Sequence, residues 1–345
     1  MIKLTPRCWC CLPRLLGGHQ QLKIIFIISI LTSNLMAQMY DKSSPFVSTY
    51  SIVARDSVTG EMGVAVQSHW FNVGAIVGWG EAGVGVIATQ SFVNVSFGIR
   101  GLELLKQGKS PREVVDELIA GDESRDFRQL AVLDAKGRTA SYTGKKCIDG
   151  AGNIAGENYS VQANLMLNAQ VWGAMEKAFL ETTGPLAERM IASLEAAQEV
   201  GGDIRGMQSA SIMTFKGTST GEPWKDKLID LRVEDHPSPV AELKRLLKVQ
   251  RAYDHMNAGD FAVEKGDMPL AMDEYNAAMV MFPDNLEMKY WTAVTLANNK
   301  RLDEALPLFK EVFEKDKNWL ELTPRLTKSD LLNVSKEELE KIIGN

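Results

Sequence analysis

Cysteine is nearly missing from the body of this chain. Cys8, Cys10 and Cys11 fall within the first 37 residues, which leaves Cys147 alone. A single thiol excludes an internal disulfide, and the cysteines at 8–11 have no nearby fourth ligand of the kind zinc requires. Cys147 is therefore expected as a small buried residue. Histidine is equally scarce. Beyond the first segment only His69, His236 and His255 occur, with no partners at ligand spacing, so no metal site is expected. Basic clusters are lacking too. The formal net charge is −6, and it becomes −10 if a first segment holding Lys3, Arg7, Arg14 and Lys23 and no acid is removed. An acidic chain of this kind excludes nucleic acid and anionic membrane as partners. No apolar run reaches the roughly 20 residues of a comfortable membrane span.

A cofactor signature is missing in substance though present in letters. "GWGEAG" (Gly78–Gly83) matches G-x-G-x-x-G, but a dinucleotide fingerprint must open a helix, and "VGVIATQSF" continues as a strand. No cofactor is expected. Those glycines are read instead as a turn or a close backbone approach.

What is present begins with a targeting pattern. Positive charges precede "LKIIFIISILTSNLMA" (22–37), and Leu35 and Ala37 permit cleavage before Gln38. Residues 1–37 are expected to be a signal peptide and 38–48 a leader, making the protein exported, periplasmic or secreted from a bacterium, with no integral membrane domain after cleavage. From Thr49 the pattern turns to strands. "TYSIVARD" and "EMGVAVQS" form a hairpin around "SVTG", and "AIVGW" and "GVGVIATQSF" continue as strands. Two helices follow, the second opened by Ser110, Pro111 and Glu113 as a capping box. Strands return at "FRQLAVLD", "RTASYTG" and "NYSVQANLM". After two more helices, "QSASIMTFKG" and "LIDLRVED" close the unit. Hairpins outnumber strand–helix–strand units, so residues 49–235 are α+β with mainly antiparallel sheet.

Pro237 and Pro239 open a linker helix at 236–249. Beyond it Ala271, Tyr275 and Ala278 recur 34 residues later as Ala305, Phe309 and Val312, and Gly259 as Ala293. That is the period of a tetratricopeptide repeat. Two such repeats are expected over 250–317, with a capping helix region over 318–345 containing the Ser335/Glu338 box. Stacked helix pairs offer a concave face to a protein partner.

Residues 49 to about 235 resemble the bacterial family called domain of unknown function 1028, which is placed in the Ntn-hydrolase superfamily. The stretches that carry the resemblance are "TYSIVARD", "GEMGVAVQS", "VGAIVGWGEAGVGVIATQSF", "YSVQANLML" and "GPLAERMIASLEAAQEVGGDIRGMQSA". The resemblance implies a four-layer αββα sandwich, here followed by a small all-α helical-repeat domain. It also implies amide hydrolysis by the first side chain of the mature chain, whose α-amino group takes the proton. That amine titrates near 8, so a useful fraction is free base at neutral pH.

Thr49 is the position that matches the family's N-terminal threonine. Many relatives begin Met-Thr, whereas cleavage after Ala37 leaves "QMYDKSSPFVS" ahead of Thr49 here. Thr49 can be a nucleophile only if 38–48 is also removed, by self-cleavage at Ser48–Thr49 or by a protease. The other reading is a β-branched residue that simply suits a strand. Thr49, Ser51 and Arg55 share a strand face. Ser51 joins Thr49 in the catalytic set, with Asn94 and Asn164 as candidate oxyanion donors. Arg55, Gln90 and Gln162 form the substrate-binding set. Buried structural amides are the alternative for the Asn and Gln positions. Relatives often carry histidine at Tyr142 and Asn153 and an aromatic at Gly150. No lysine lies between Thr49 and Lys106, which does not support a lysine-assisted threonine. The expected substrate is a small or peptide-derived amide. A non-catalytic binding protein, or a scaffold for the helical tail, stands as the rival, and homo-oligomer formation is left open.

Overall fold

The computed structural model describes residues 46–344. The expected signal segment, and the leader up to residue 45, lie outside the described residues. Two compact units divide between Val240 and Ala241.

In the first unit the chain enters through a two-residue strand, β1 (Phe46–Val47), and continues at once into β2 (Thr49–Arg55). β2 and β3 (Met62–Ser68) pair antiparallel, with Thr49 opposite Ser68. Asp56 builds the turn between them. Its Oδ1 accepts from the N–H groups of Val58 and Thr59 at 2.9 and 2.8 Å. The remaining strands are β4 (Gly78–Glu81), β5 (Gly85–Phe92), β6 (Arg128–Asp134), β7 (Thr139–Thr143), β8 (Gly152–Gly156), β9 (Tyr159–Ala163), β10 (Ser209–Phe215) and β11 (Lys227–Val233).

They form two antiparallel sheets. One runs β1-β5-β6-β7 with β4 also on β5; the other runs β11-β10-β3-β2-β9-β8. Val53, Val64 and Val66 of the second sheet share one buried core with Val86, Ala88, Ala131 and Leu133 of the first. The other face of the first sheet, with Ile87, Leu130 and Val132, packs Phe97 of α1 (Ser96–Lys106) and Val114 and Leu118 of α2 (Pro111–Ala120). α3 (Val171–Glu181) covers β8 and β9, and α4 (Leu186–Glu199) covers β2 and β3. Strands buried on both faces read as nearly continuous apolar runs, which is why "GVIAT" and "LAVL" lack clean alternation.

Three local departures from the sequence reading have physical causes. "AIVGW" yields a 3-10 turn at Val73–Ala75, and the strand starts only at Gly78. β8 is built from "GNIAG", whose glycines give little β signal. Gly80 lets β4 approach its neighbours: a Cβ there would lie 2.3 Å from the Phe215 ring.

The second unit is helical. A separate linker helix over 236–249 is corrected by the structure, because α5 runs unbroken from Pro239 to Glu264. Pro239 stands at its first turn, where a missing N–H costs nothing, so the helix has no reason to stop at 249. Then follow α6 (Met268–Met281), α7 (Leu286–Asn298), α8 (Leu302–Lys315), α9 (Lys317–Thr327) and α10 (Lys336–Ile343). Ala271, Tyr275, Ala278, Ala305, Phe309 and Val312 are all wholly buried. Gly259 is needed where it stands, since a Cβ would meet the Tyr275 ring at 2.4 Å.

Candidate active site

The first unit concentrates its polar burial between the two sheets at the start of β2. Thr49 is wholly buried, and its hydroxyl donates to the Val47 carbonyl at 2.9 Å. Ser48 is where the chain crosses from the first sheet to the second. The Ser48 carbonyl accepts from the Ser68 hydroxyl and from Arg205 Nη2 at 3.0 Å. Arg205 is itself held by Asp203, with Nε on Oδ1 at 3.0 Å and Nη2 on Oδ2 at 2.7 Å. The Asp203 side chain is fully buried while that of Arg205 keeps 27% of its surface exposed, so the guanidinium is held from inside the fold.

Behind Thr49 lies a chain of amides. Ser51 donates to Gln90 Oε1 and accepts from Gln162 Nε2, both at 2.6 Å. Gln90 Nε2 donates to Gln129 Oε1 at 2.7 Å and to the Thr49 carbonyl at 3.3 Å. Asn164 Nδ2 donates to Gln129 Oε1 at 2.9 Å and to the same carbonyl at 3.4 Å. Gln129 Nε2 then reaches Thr143 Oγ1 and the carbonyls of Gly152 and Ala163. Asn164 Oδ1 is buried without a hydrogen-bond partner.

Of the residues expected from sequence, Thr49, Ser51, Gln90, Gln162 and Asn164 are thus brought together. Asn94 and Arg55 are not. Asn94 Nδ2 donates to Asp122 at 3.1 Å and its Oδ1 accepts from Ser96 at the start of α1. Arg55 sits six residues from Thr49, about 20 Å along an extended strand, and donates to Asn158 Oδ1. Asn164 Nδ2, the expected oxyanion donor, is already engaged. Sequence reasoning missed Ser48, Ser68, Gln129, Asp203 and Arg205. "GGDIRG" held a signal, because an Asp and an Arg two apart at a turn can pair locally.

Electrostatics separate these groups from other polar residues nearby. Burial, and then the Asp203 charge, push the Tyr50 hydroxyl far up, so it stays protonated and donates to Gln198 Oε1 at 3.1 Å. Burial likewise raises the Cys147 thiol, which makes it a poor nucleophile. Among the described residues no group of three His, Cys, Asp or Glu side chains is gathered as a metal ion would need.

Residues 49–243 match the model of a family of unknown function, DUF1028. The chain belongs to DUF1028. The matched segment starts at Thr49, so residues 46–48 lie outside it. The structure is also similar to the crystal structure of a DUF1028 protein from Silicibacter pomeroyi, at 29% identity and a TM-score of 0.54, covering 58% of this chain and 85% of that one. No curated protein matches the chain. An aromatic at the Gly150 position does not fit this backbone. Gly150 has φ +75°, and a Cβ there would lie 2.4 Å from the Met166 carbonyl oxygen. Asn153 is bound on both sides: its Oδ1 accepts from Thr143 and its Nδ2 donates to Ser141.

Proposed function

We propose that the protein is an exported Ntn-type amidohydrolase, with Thr49 as the nucleophile once residues 1–48 have been removed. The first unit is then an αββα sandwich of the Ntn kind, and the second a short tetratricopeptide-like stack that binds a protein partner. The carrying observation is the convergence on one peptide bond. The Ser48 carbonyl is polarised by Ser68 and Arg205, while the Thr49 hydroxyl is anchored two residues back, on the Val47 carbonyl. With the leader in place Thr49 is closed to any outside amide, so the described chain is read as a precursor.

Self-cleavage follows from that arrangement. Thr49 Oγ1 adds to the Ser48 carbonyl carbon while the oxygen's developing charge falls on Ser68 and Arg205. The C–N bond breaks, the hydroxyl proton ends on the departing nitrogen, and an ester joins Ser48 to Thr49. Water hydrolyses the ester, which leaves a Ser48 carboxylate, a free Thr49 hydroxyl and an α-amine. That amine is the base for later turnovers. Asn164 Oδ1, an unspent acceptor near Thr49, suits a chain end rich in N–H donors.

The test is the processing of variants. Thr49→Ala accumulates the form starting at Gln38 if cleavage is autocatalytic, and is still shortened if a protease does the trimming. Thr49→Ser retains part of the activity. Normal amide turnover by Thr49→Ala refutes threonine catalysis. A second reading, a binding protein that has kept the cleft, is favoured by the extent to which the amides bond to one another. It predicts a chain beginning at Gln38 in every variant.

A further inference from the structure

The edge of β5 is filled by two different pieces of chain. β4 pairs with Gly85–Ala88, and β1 pairs with Ser91 and Phe92. β4 lies within the segment that matches the family, whereas β1 precedes it and falls in the expected leader. Removal of the leader therefore opens a short stretch of sheet edge next to Thr49, and an unpaired edge is a template for an incoming strand. Ser91, at the opened stretch, has φ +71°, a conformation that costs energy and clusters at ligand clamps. The leader also shows how the space beside that edge is used. Val47 is wholly buried in the core between the sheets, and Ser48 is wholly buried with its carbonyl on Ser68 and Arg205.

We infer that the leader is the site's own substrate surrogate, and that the enzyme's substrates are extended peptides. The inference rests on the amidohydrolase reading. The acyl side of such a peptide adds to β5 where Phe46–Val47 lies, and an apolar side chain fills the Val47 position. A small residue takes the place of Ser48, with its carbonyl oxygen on Ser68 and Arg205. The shape of this slot excludes bulky residues at the reacting position, since nothing of Ser48 reaches the surface. The cleaved leader is also a ligand, because its new Ser48 carboxylate faces a guanidinium that Asp203 holds in place, a charge-assisted contact.

The test uses the full chain, processed to its mature form, and the synthetic peptide Ser-Pro-Phe-Val-Ser with a free carboxyl terminus. Calorimetry is expected to show binding at least about tenfold tighter than for the same peptide with Asp in place of Val. Arg205→Ala is expected to weaken the parent peptide by a similar factor, with Arg205→Lys between the two. Saturating peptide is expected to inhibit hydrolysis of a small chromogenic amide. Equal binding of the Val and Asp peptides, or undiminished hydrolysis under saturation, overturns the inference and leaves the amidohydrolase reading standing. Specific peptide binding without hydrolysis of any amide sinks that reading and leaves the slot standing. A mature chain that still carries Phe46–Ser48 overturns the inference, since its slot never opens.

Discussion

Replacing Gln129 by Leu tests whether the amides between the sheets hold the site together. The side chains are similar in volume, so packing changes little, while the hydrogen bonds to five neighbours disappear. Not all five are left stranded. Gln90 Nε2 retains the Thr49 and Gln162 carbonyls at 3.3 Å, Asn164 Nδ2 retains the Thr49 carbonyl, and the Thr143 hydroxyl retains Asn153. The carbonyls of Gly152 and Ala163 lose a side-chain donor, although the two residues stay paired across the β8–β9 ladder. With every neighbour left one bond short but none bare, the cost is about 1–3 kcal/mol. Hydrogen exchange read by mass spectrometry on fragments spanning β5 and β6 measures this in the first unit alone. Adding Gln90→Leu is expected to cost less than the two single changes summed, by about 1–3 kcal/mol, because the two amides are each other's partners. A loss below about 0.5 kcal/mol for Gln129→Leu, or strict additivity, refutes the mutual dependence argued here.

Three other outcomes are expected. Asp122 is raised by burial, but hydrogen bonds from Arg128, Asn94 and the Ser124 N–H outweigh this and hold its carboxyl below the usual range. Its contribution is present above the ordinary Asp value near 4 and is lost as pH falls through the lower folded value. Asp122→Asn, which removes the carboxylate paired with the nearly buried Arg128 but leaves its bond to the Phe92 carbonyl, is expected to cost about 1–3 kcal/mol at neutral pH and progressively less in acid, measured by thermal melts across pH. Gly80→Ala drives a methyl into Phe215 and is expected to cost about 1–3 kcal/mol; an unchanged melt shows that β4 can shift. Ala271→Leu, at a wholly buried helix position, is expected to cost a similar amount in the second unit, and full stability there removes the helix-pairing role of that alanine.

Much of the fold was legible because it rests on local signals. The capping boxes at Ser110 and Ser335 form as read, and the β2–β3 hairpin follows from turn residues between two β-branched runs. β1 was not legible: two residues of leader carry no periodicity, and what places them is an edge of β5 formed some forty residues later. The site divides in the same way. Ser51, Gln90, Gln162 and Asn164 could be named because polar residues in apolar strands must find partners once buried. Arg55 shares a strand face with Thr49, yet face says nothing about distance along a strand. Asp203 and Arg205 escaped notice because their value lies in a contact with Ser48, 157 residues away from Arg205, and no local pattern encodes it.

Whether Thr49 is ever uncovered decides the account, and the intact mass of the protein recovered from its native compartment measures it directly. A chain that begins at Thr49 is expected, with a peptide ending at Ser48 retained in a share of the molecules. A single species beginning at Gln38, active or not, contradicts it.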